Sequence, residues 1–146
     1  MSTPRNVHFT EAELGAYLDE VFPETSGRFT VEQVAPMFVR MRMKIGPMDL
    51  RPGGTISGPS MFTLADCAYY AVTLAMIGRQ ALTVTTSCAI NFMRKPEPKD
   101  LICEARILKL GRVLSVGDAT IFSPGVEGPV AHASLTYSIP PAPAVA

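Results

Sequence analysis

The chain has 146 residues, and 13 Lys+Arg balance 13 Asp+Glu, so its formal net charge is zero. The length suits one domain, and the missing basic excess argues against a protein that binds nucleic acid by neutralising phosphates. Hydrophobic residues make up 47% and charged ones 18%, against about 25% charged in an average soluble domain. This much apolar material is incompatible with wholesale disorder. In a small domain it also calls for a partner surface.

The N-terminal stretch Met1 to His8 is polar and holds no apolar run, so no secretory signal is expected and the expected setting is cytoplasmic. Thr10-Glu11-Ala12-Glu13 has the spacing of a capping box. Leu14, Tyr17, Leu18 and Val21 follow at helical intervals, and Pro23 ends the run. Val31 to Ile45 reads as strand with a break at Pro36. Its second half alternates Val39, Met41, Met43 and Ile45 with Arg40, Arg42 and Lys44, which gives one apolar and one basic face. Arg51-Pro52-Gly53-Gly54 is a loop.

A helix is expected over Pro59–Ile77, with proline at its start and Gly78 as its stop. Its only charged residue is Asp66. Nineteen residues lie near the lower limit of ~17–25 for crossing a membrane. The stretch also contains Ser60, Thr63, Tyr69, Tyr70 and Thr73, and a helix apolar all round equally suits the centre of a globular domain. No membrane partner is expected. Four strands follow, Leu82–Met93, Leu101–Leu110, Arg112–Phe122 and Val130–Ile139, joined by Pro/Gly-rich turns. The connections are too short for parallel crossovers, so an antiparallel meander is expected. The tail Pro140–Ala146 cannot join a ladder. The fold class is α+β, with the sheet curled around the apolar helix to bury it. Three segments are expected: 1–27 as an N-terminal helical segment, 28–139 as the main domain and 140–146 as a tail.

Cys67, Cys88 and Cys103 match no zinc template, and His8 and His132 lie far from them in sequence. The thiols read as reduced small hydrophobes, and no metal or cofactor is expected. A lone carboxylate in an apolar helix is costly unless paired or useful. Asp66 is therefore either a hydrogen-bonded structural carboxylate or a general base or nucleophile on a rigid element. Ser57-Gly58-Pro59-Ser60 opens the same helix with small residues, where free N–H groups and the helix dipole can hold an oxyanion. Gly58 and Asp66 are eight residues apart, or ~12 Å along a helix. A reacting carbonyl must lie ~3 Å from both the donor and the attacking group. If both act, they must come from two chains, which implies a homodimer with composite sites.

The run Arg51-Pro-Gly-Gly-Thr-Ile-Ser-Gly-Pro-Ser-Met-Phe-Thr-Leu-Ala-Asp66 resembles the signature loop and central helix of hotdog-fold acyl-CoA thioesterases of the PaaI (phenylacetate degradation) type. Val84–Pro96, Leu108–Arg112 and Val130–Tyr137 resemble the strands of that family in the same order. The resemblance implies hydrolysis of an acyl-CoA by a homodimer or dimer of dimers. Asp66 falls on the family's catalytic carboxylate, as nucleophile or as base for water. Gly58 falls on the glycine whose N–H polarises the thioester carbonyl, and Thr85 on an orienting hydroxyl.

The chain departs from the pattern where the family has His-Gly-Gly, here Ser57-Gly58-Pro59, and where it often has Asn, here Arg51. Ser57 and Pro59 fall beside the substrate in that pattern: loss of the His removes a group that orients loop and substrate, and Pro59 removes one N–H while Gly58 keeps its own, so altered substrate choice and lost hydrolysis are the alternatives. Coenzyme A needs cations for its phosphates. Arg94 and Lys95 at one strand end, and Lys109 and Arg112 about the Gly111 turn, fall near the nucleotide in the family; solubilising charge at strand ends is the alternative. His132 lies on a strand, and with no second His nearby a Ser–His–Asp triad has no support. Rival functions on the same fold are a non-catalytic acyl-CoA binding protein, a structural oligomer subunit and a hydratase or dehydratase. The last is disfavoured by the scarcity of His. Met61, Phe62, Tyr69 and Tyr70 either line an acyl pocket or pack the core.

Overall fold

The computed structural model describes residues 6–141. Most of the expected tail, 142–146, lies outside them. The first helix, α1 (Glu11–Val21), begins with the expected capping box: the Glu13 N–H donates to the Thr10 hydroxyl and the Thr10 N–H to the Glu13 carboxylate. It lies on strand β1 (Phe29–Ala35), where the Val34 N–H donates to Glu11. The chain reverses at Met37, which takes a φ of 63°, into β2 (Phe38–Met43). The expected single broken strand is therefore an antiparallel hairpin, because Pro36 cannot continue a ladder. The glycine loop carries a short hairpin, β3 (Leu50–Arg51) and β4 (Thr55–Ile56).

Helix α2 (Gly58–Ile77) follows, with Ser57 as its N-cap and Gly78 as its C-cap. Then come β5 (Val84–Phe92), β6 (Leu101–Leu110), β7 (Leu114–Phe122) and β8 (Ala131–Ser138). The six long strands form one antiparallel sheet in the order β1-β2-β6-β7-β8-β5. The sheet wraps α2, whose Leu64, Ala68, Tyr69, Val72 and Leu74 are inaccessible. The helix is long and apolar enough to cross a membrane, but 72% of its most apolar window is buried inside the domain. It is a core helix. Tyr69 passes close to β7: a Cβ on Gly117 would overlap the Arg106 backbone carbonyl oxygen and stand 2.8 Å from the Tyr69 ring and hydroxyl, so only glycine fits there. The Tyr69 hydroxyl and Thr73 both bond Ser115, which satisfies the polar groups this approach buries.

One expectation is corrected. β6, β7 and β8 form a meander, but β5 does not lie beside β6; it pairs antiparallel with β8 at the far edge. The connection of residues 93–100 crosses the ends of β8 and β7. Three interstrand steps amount to ~14 Å, which eight residues span easily. β5 is thus an edge strand.

Candidate active site

Asp66 lies in the N-terminal half of α2, on the stripe of the helix that the sheet leaves open. Pro59, Phe62, Thr63 and Asp66, at helical spacing, all escape full burial. The carboxylate is held from two strands. The Thr85 hydroxyl of β5 donates to Asp66 Oδ1 at 2.7 Å, and the Tyr137 hydroxyl of β8 donates to the same oxygen at 2.6 Å. Thr85 and Tyr137 are direct cross-strand partners, so sheet register alone brings the two donors together. Tyr137 is itself buried against the rings of Tyr69 and Tyr70. Burial, then the Asp66 charge, pushes its phenol far above the ordinary range, so it stays a donor. Cys67 is likewise pushed up to about 12 by burial and by Asp66, which leaves it a poor nucleophile.

Gly58 is the first residue of α2. Among the first four residues of the helix its N–H alone is free. Pro59 has none, the Ser60 N–H bonds the Ser57 hydroxyl, and the Met61 N–H bonds the Ser57 carbonyl. A free N–H at the positive end of a helix is an oxyanion donor in waiting. Of the departures from the family pattern, Pro59 thus takes one N–H from the helix start and leaves that of Gly58 in place. The Phe92 ring lies over Gly58, 3.2 Å from where a Cβ would be.

The loop leading to Gly58 is fixed by Asp49. Its carboxylate accepts from Arg28, from the Ser60 hydroxyl and from the Gly46 N–H, while its carbonyl accepts from the Ser57 N–H. Burial acts to raise the pKa of Asp49, but the Gly46 N–H, Ser60 and Arg28 outweigh it and hold the carboxyl below 3.8. A depressed carboxylate contributes stability at neutral pH that is lost as pH falls through its folded value. We predict that Asp49→Asn loses about 1–3 kcal/mol at pH 7. Its melting temperature should also fall less steeply than the wild type's below pH 4. A wild-type acid slope in the variant refutes this.

The other expected site residues are split between the two ends of the sheet. Arg94 and Lys95 follow the Phe92 end of β5, where Gly58 lies, and Arg94 donates to the Pro129 carbonyl at 2.7 Å. Lys109 and Arg112 are exposed about the Gly111 turn, at the opposite end with Val84, Ser138 and Leu114. No single chain brings the two pairs together. His132 pairs with Asp118 at 3.0 Å on the outer face of the sheet, away from Asp66. Tyr69 is core, as Met61 is, while Phe62 is 38% exposed. A cleft of about 630 Å³, lined by Arg28, Asp49, Ser57, Pro59, Ser60 and Thr63 among others, borders the start of α2, but none of Asp66, Thr85 or Tyr137 lines it. Among the described residues no cluster of His, Cys, Asp and Glu could hold a metal.

Sequence reasoning missed Asp49 and Tyr137. Tyr137 had a signal: Ala131, Ala133, Leu135 and Tyr137 alternate on the inward face, and only the last carries a hydroxyl. Asp49 had a weaker one, a carboxylate three residues after Gly46 in a Gly-Pro turn.

The sequence profile of the Thioesterase superfamily matches residues 53–129, from the glycine loop to the turn before β8. The chain belongs to the thioesterase superfamily. That membership places it among the thioester hydrolases and agrees with the PaaI-type motif read from the loop and helix. The chain is 51% identical to a candidate thioesterase of Silicibacter sp. TM1040, covering 95% of this chain and 97% of that one with a TM-score of 0.87. The thioesterase fold is shared with the phenylacetic acid degradation protein PaaI of Thermus thermophilus, solved as a mutant. That match has 21% identity, 81% and 99% coverage and a TM-score of 0.70. It is also shared with smu.793 of Streptococcus mutans UA159, solved bound to acetyl CoA, with 23% identity, 77% and 89% coverage and a TM-score of 0.69. Among curated proteins none matches the chain.

Proposed function

We propose that this thioesterase-superfamily protein hydrolyses an acyl-CoA to a free acid and CoA at a site shared by two copies of the chain. The observation that carries the reading is a division of labour along α2. Asp66 is held by two hydroxyls, and the unpartnered Gly58 N–H lies ~12 Å away along the same helix. One thioester cannot reach both within a protomer.

The edge strand β5 supplies the means of joining two copies. It carries nine residues with a free backbone edge, a surface that seeks a partner strand. Val84 and Phe92 are exposed along it at 56% and 51%, Met93 just beyond it at 46%, and Phe62 is exposed on the adjoining stripe of α2. Two β5 strands pairing antiparallel about their middles bring the Thr85 end of one beside the Phe92 end of the other. Asp66 then faces the partner's Gly58, and Lys109, Gly111 and Arg112 face the partner's Arg94 and Lys95. Those four cations serve the CoA phosphates, with Ser57 and Pro59 bordering the acyl group. The acetyl CoA in the Streptococcus mutans relative supports a CoA thioester as ligand. The three cysteines are free thiols, in keeping with a cytoplasmic setting.

In the reaction the Gly58 N–H stabilises the oxyanion that forms on the thioester carbonyl. Asp66 either removes a proton from the attacking water or adds to the carbonyl carbon and is released by water afterwards. The C–S bond breaks, and the CoA sulfur leaves and takes up a proton. Thiol release from short-, medium-, long-chain and aryl acyl-CoAs, with the mass in solution from light scattering, tests this. Turnover of at least one class by a dimer or larger assembly is expected. Binding of the whole panel without thiol release, or a monomer that turns over, overturns it.

A further inference from the structure

The two hydroxyls on Asp66 do not share its oxygens; both donate to Oδ1. Among the described residues Oδ2 has no hydrogen-bond partner, and the side chain is only half-buried on the open stripe of α2. We propose that Tyr137 is a positioning residue that, with Thr85, ties up Oδ1 and leaves Oδ2 as the single reacting oxygen of Asp66. The proposal rests on the hydrolase reading above and assigns a role to a residue that reading does not use.

Tyr137 is suited to the role by its own surroundings. It is 2% exposed and its ring is wedged between Tyr69 and Tyr70, with centroids 5.4 and 6.1 Å away. Its one proton goes to Oδ1, the nearer and charged acceptor, while the Asp66 carbonyl oxygen lies 2.9 Å from the same hydroxyl, so the ring end sits against the helix backbone. Thr85 cannot do this alone. Its hydroxyl sits on β5, the edge strand, beside the bulge between Thr85 and Ser87. β8 is the interior strand that carries the rigid donor.

The other titratable groups facing the carboxylate are neutral. Cys67 on α2 and Cys88 on β5 are both raised, by burial first and by the Asp66 charge second. The cation that acts on Cys67 is Arg28, which is paired with Asp49. The two hydroxyl donors are therefore the polar contacts that orient the carboxylate.

The test is Tyr137→Phe, which keeps the packed ring and removes one hydroxyl. Thiol-release kinetics should show kcat lower by about 10- to 100-fold, KM within about threefold of wild type, and the acid limb of the kcat profile moved to higher pH. A site-specific 3-fluorotyrosine at 137 keeps the hydroxyl, makes it a stronger donor and should move the acid limb to lower pH. A residue that only packs the core produces neither shift, still less two of opposite sign. Tyr69→Phe removes a buried hydroxyl that bonds Ser115 and should leave the acid limb in place. An unmoved acid limb in both Tyr137 proteins, with Asp66→Asn inactive, overturns the positioning role and leaves the hydrolase reading standing. Full turnover by Asp66→Asn overturns that reading, and the role of Tyr137 with it.

Discussion

Asp66→Asn should lower acyl-CoA turnover by about 1,000-fold, or ~4 kcal/mol of transition-state stabilisation, while the protein folds and assembles as before. The substitution is nearly isosteric. The amide oxygen can still accept from Thr85 and Tyr137, which now donate to Oδ1 at 2.7 and 2.6 Å. What is lost is the negative charge and the basic or nucleophilic lone pair on Oδ2. Burial of the neighbouring thiols keeps Cys67 from substituting, since its pKa is pushed up to about 12. Steady-state thiol release with matched melting curves decides the matter. A variant that retains turnover refutes the role given to Asp66. The same variant separates function from structure, because a carboxylate kept only to satisfy the two hydroxyls would be replaced by an amide at little kinetic cost.

Two inactive chains should together make an active protein. Gly58→Pro removes the one free N–H at the start of α2 and should cost about 100- to 1,000-fold. Proline suits the first helical position, and Ser57 before it is already extended, with ψ at 153°. The crowding falls on Phe92, a half-exposed ring that can turn away. In a mixed dimer of Gly58→Pro and Asp66→Asn chains, one of the two composite sites has an intact Gly58 from one chain and an intact Asp66 from the other. With random assortment half the dimers are mixed and each has one working site, so co-expression should restore about one quarter of wild-type activity. Complementation that stays at the level of the two parents shows that each chain builds its site alone. The edge-pairing of β5 would then have to be given up.

The parts of the site that were legible beforehand are those with local causes. The ends of α2 are written in Ser57, Pro59 and Gly78, because caps and stops act within one turn. Asp66 stood out because charge is costly in an apolar helix whatever its partners. The separation of Gly58 from Asp66 needed only the helix rise. Tyr137 and Asp49 escaped notice because their importance lies in what they touch: Tyr137 reaches Asp66 across 71 residues of chain and Ser60 reaches Asp49 across 11. Arg94, Lys95, Lys109 and Arg112 were legible as charges, but their distribution to opposite ends of the sheet was not.

By itself, then, the sequence determined the helical and strand segments, the single acidic residue of the core helix and the capped glycine at its start, since propensity, periodicity and capping are short-range. Only the tertiary structure decided the strand order, and with it the edge position of β5, the shared grip of Thr85 and Tyr137 on one oxygen, and the lock of Asp49 on the loop. Strand pairing depends on which apolar faces bury together across the whole domain. A short connection such as residues 93–100 permits a neighbour or a strand three places away with equal ease.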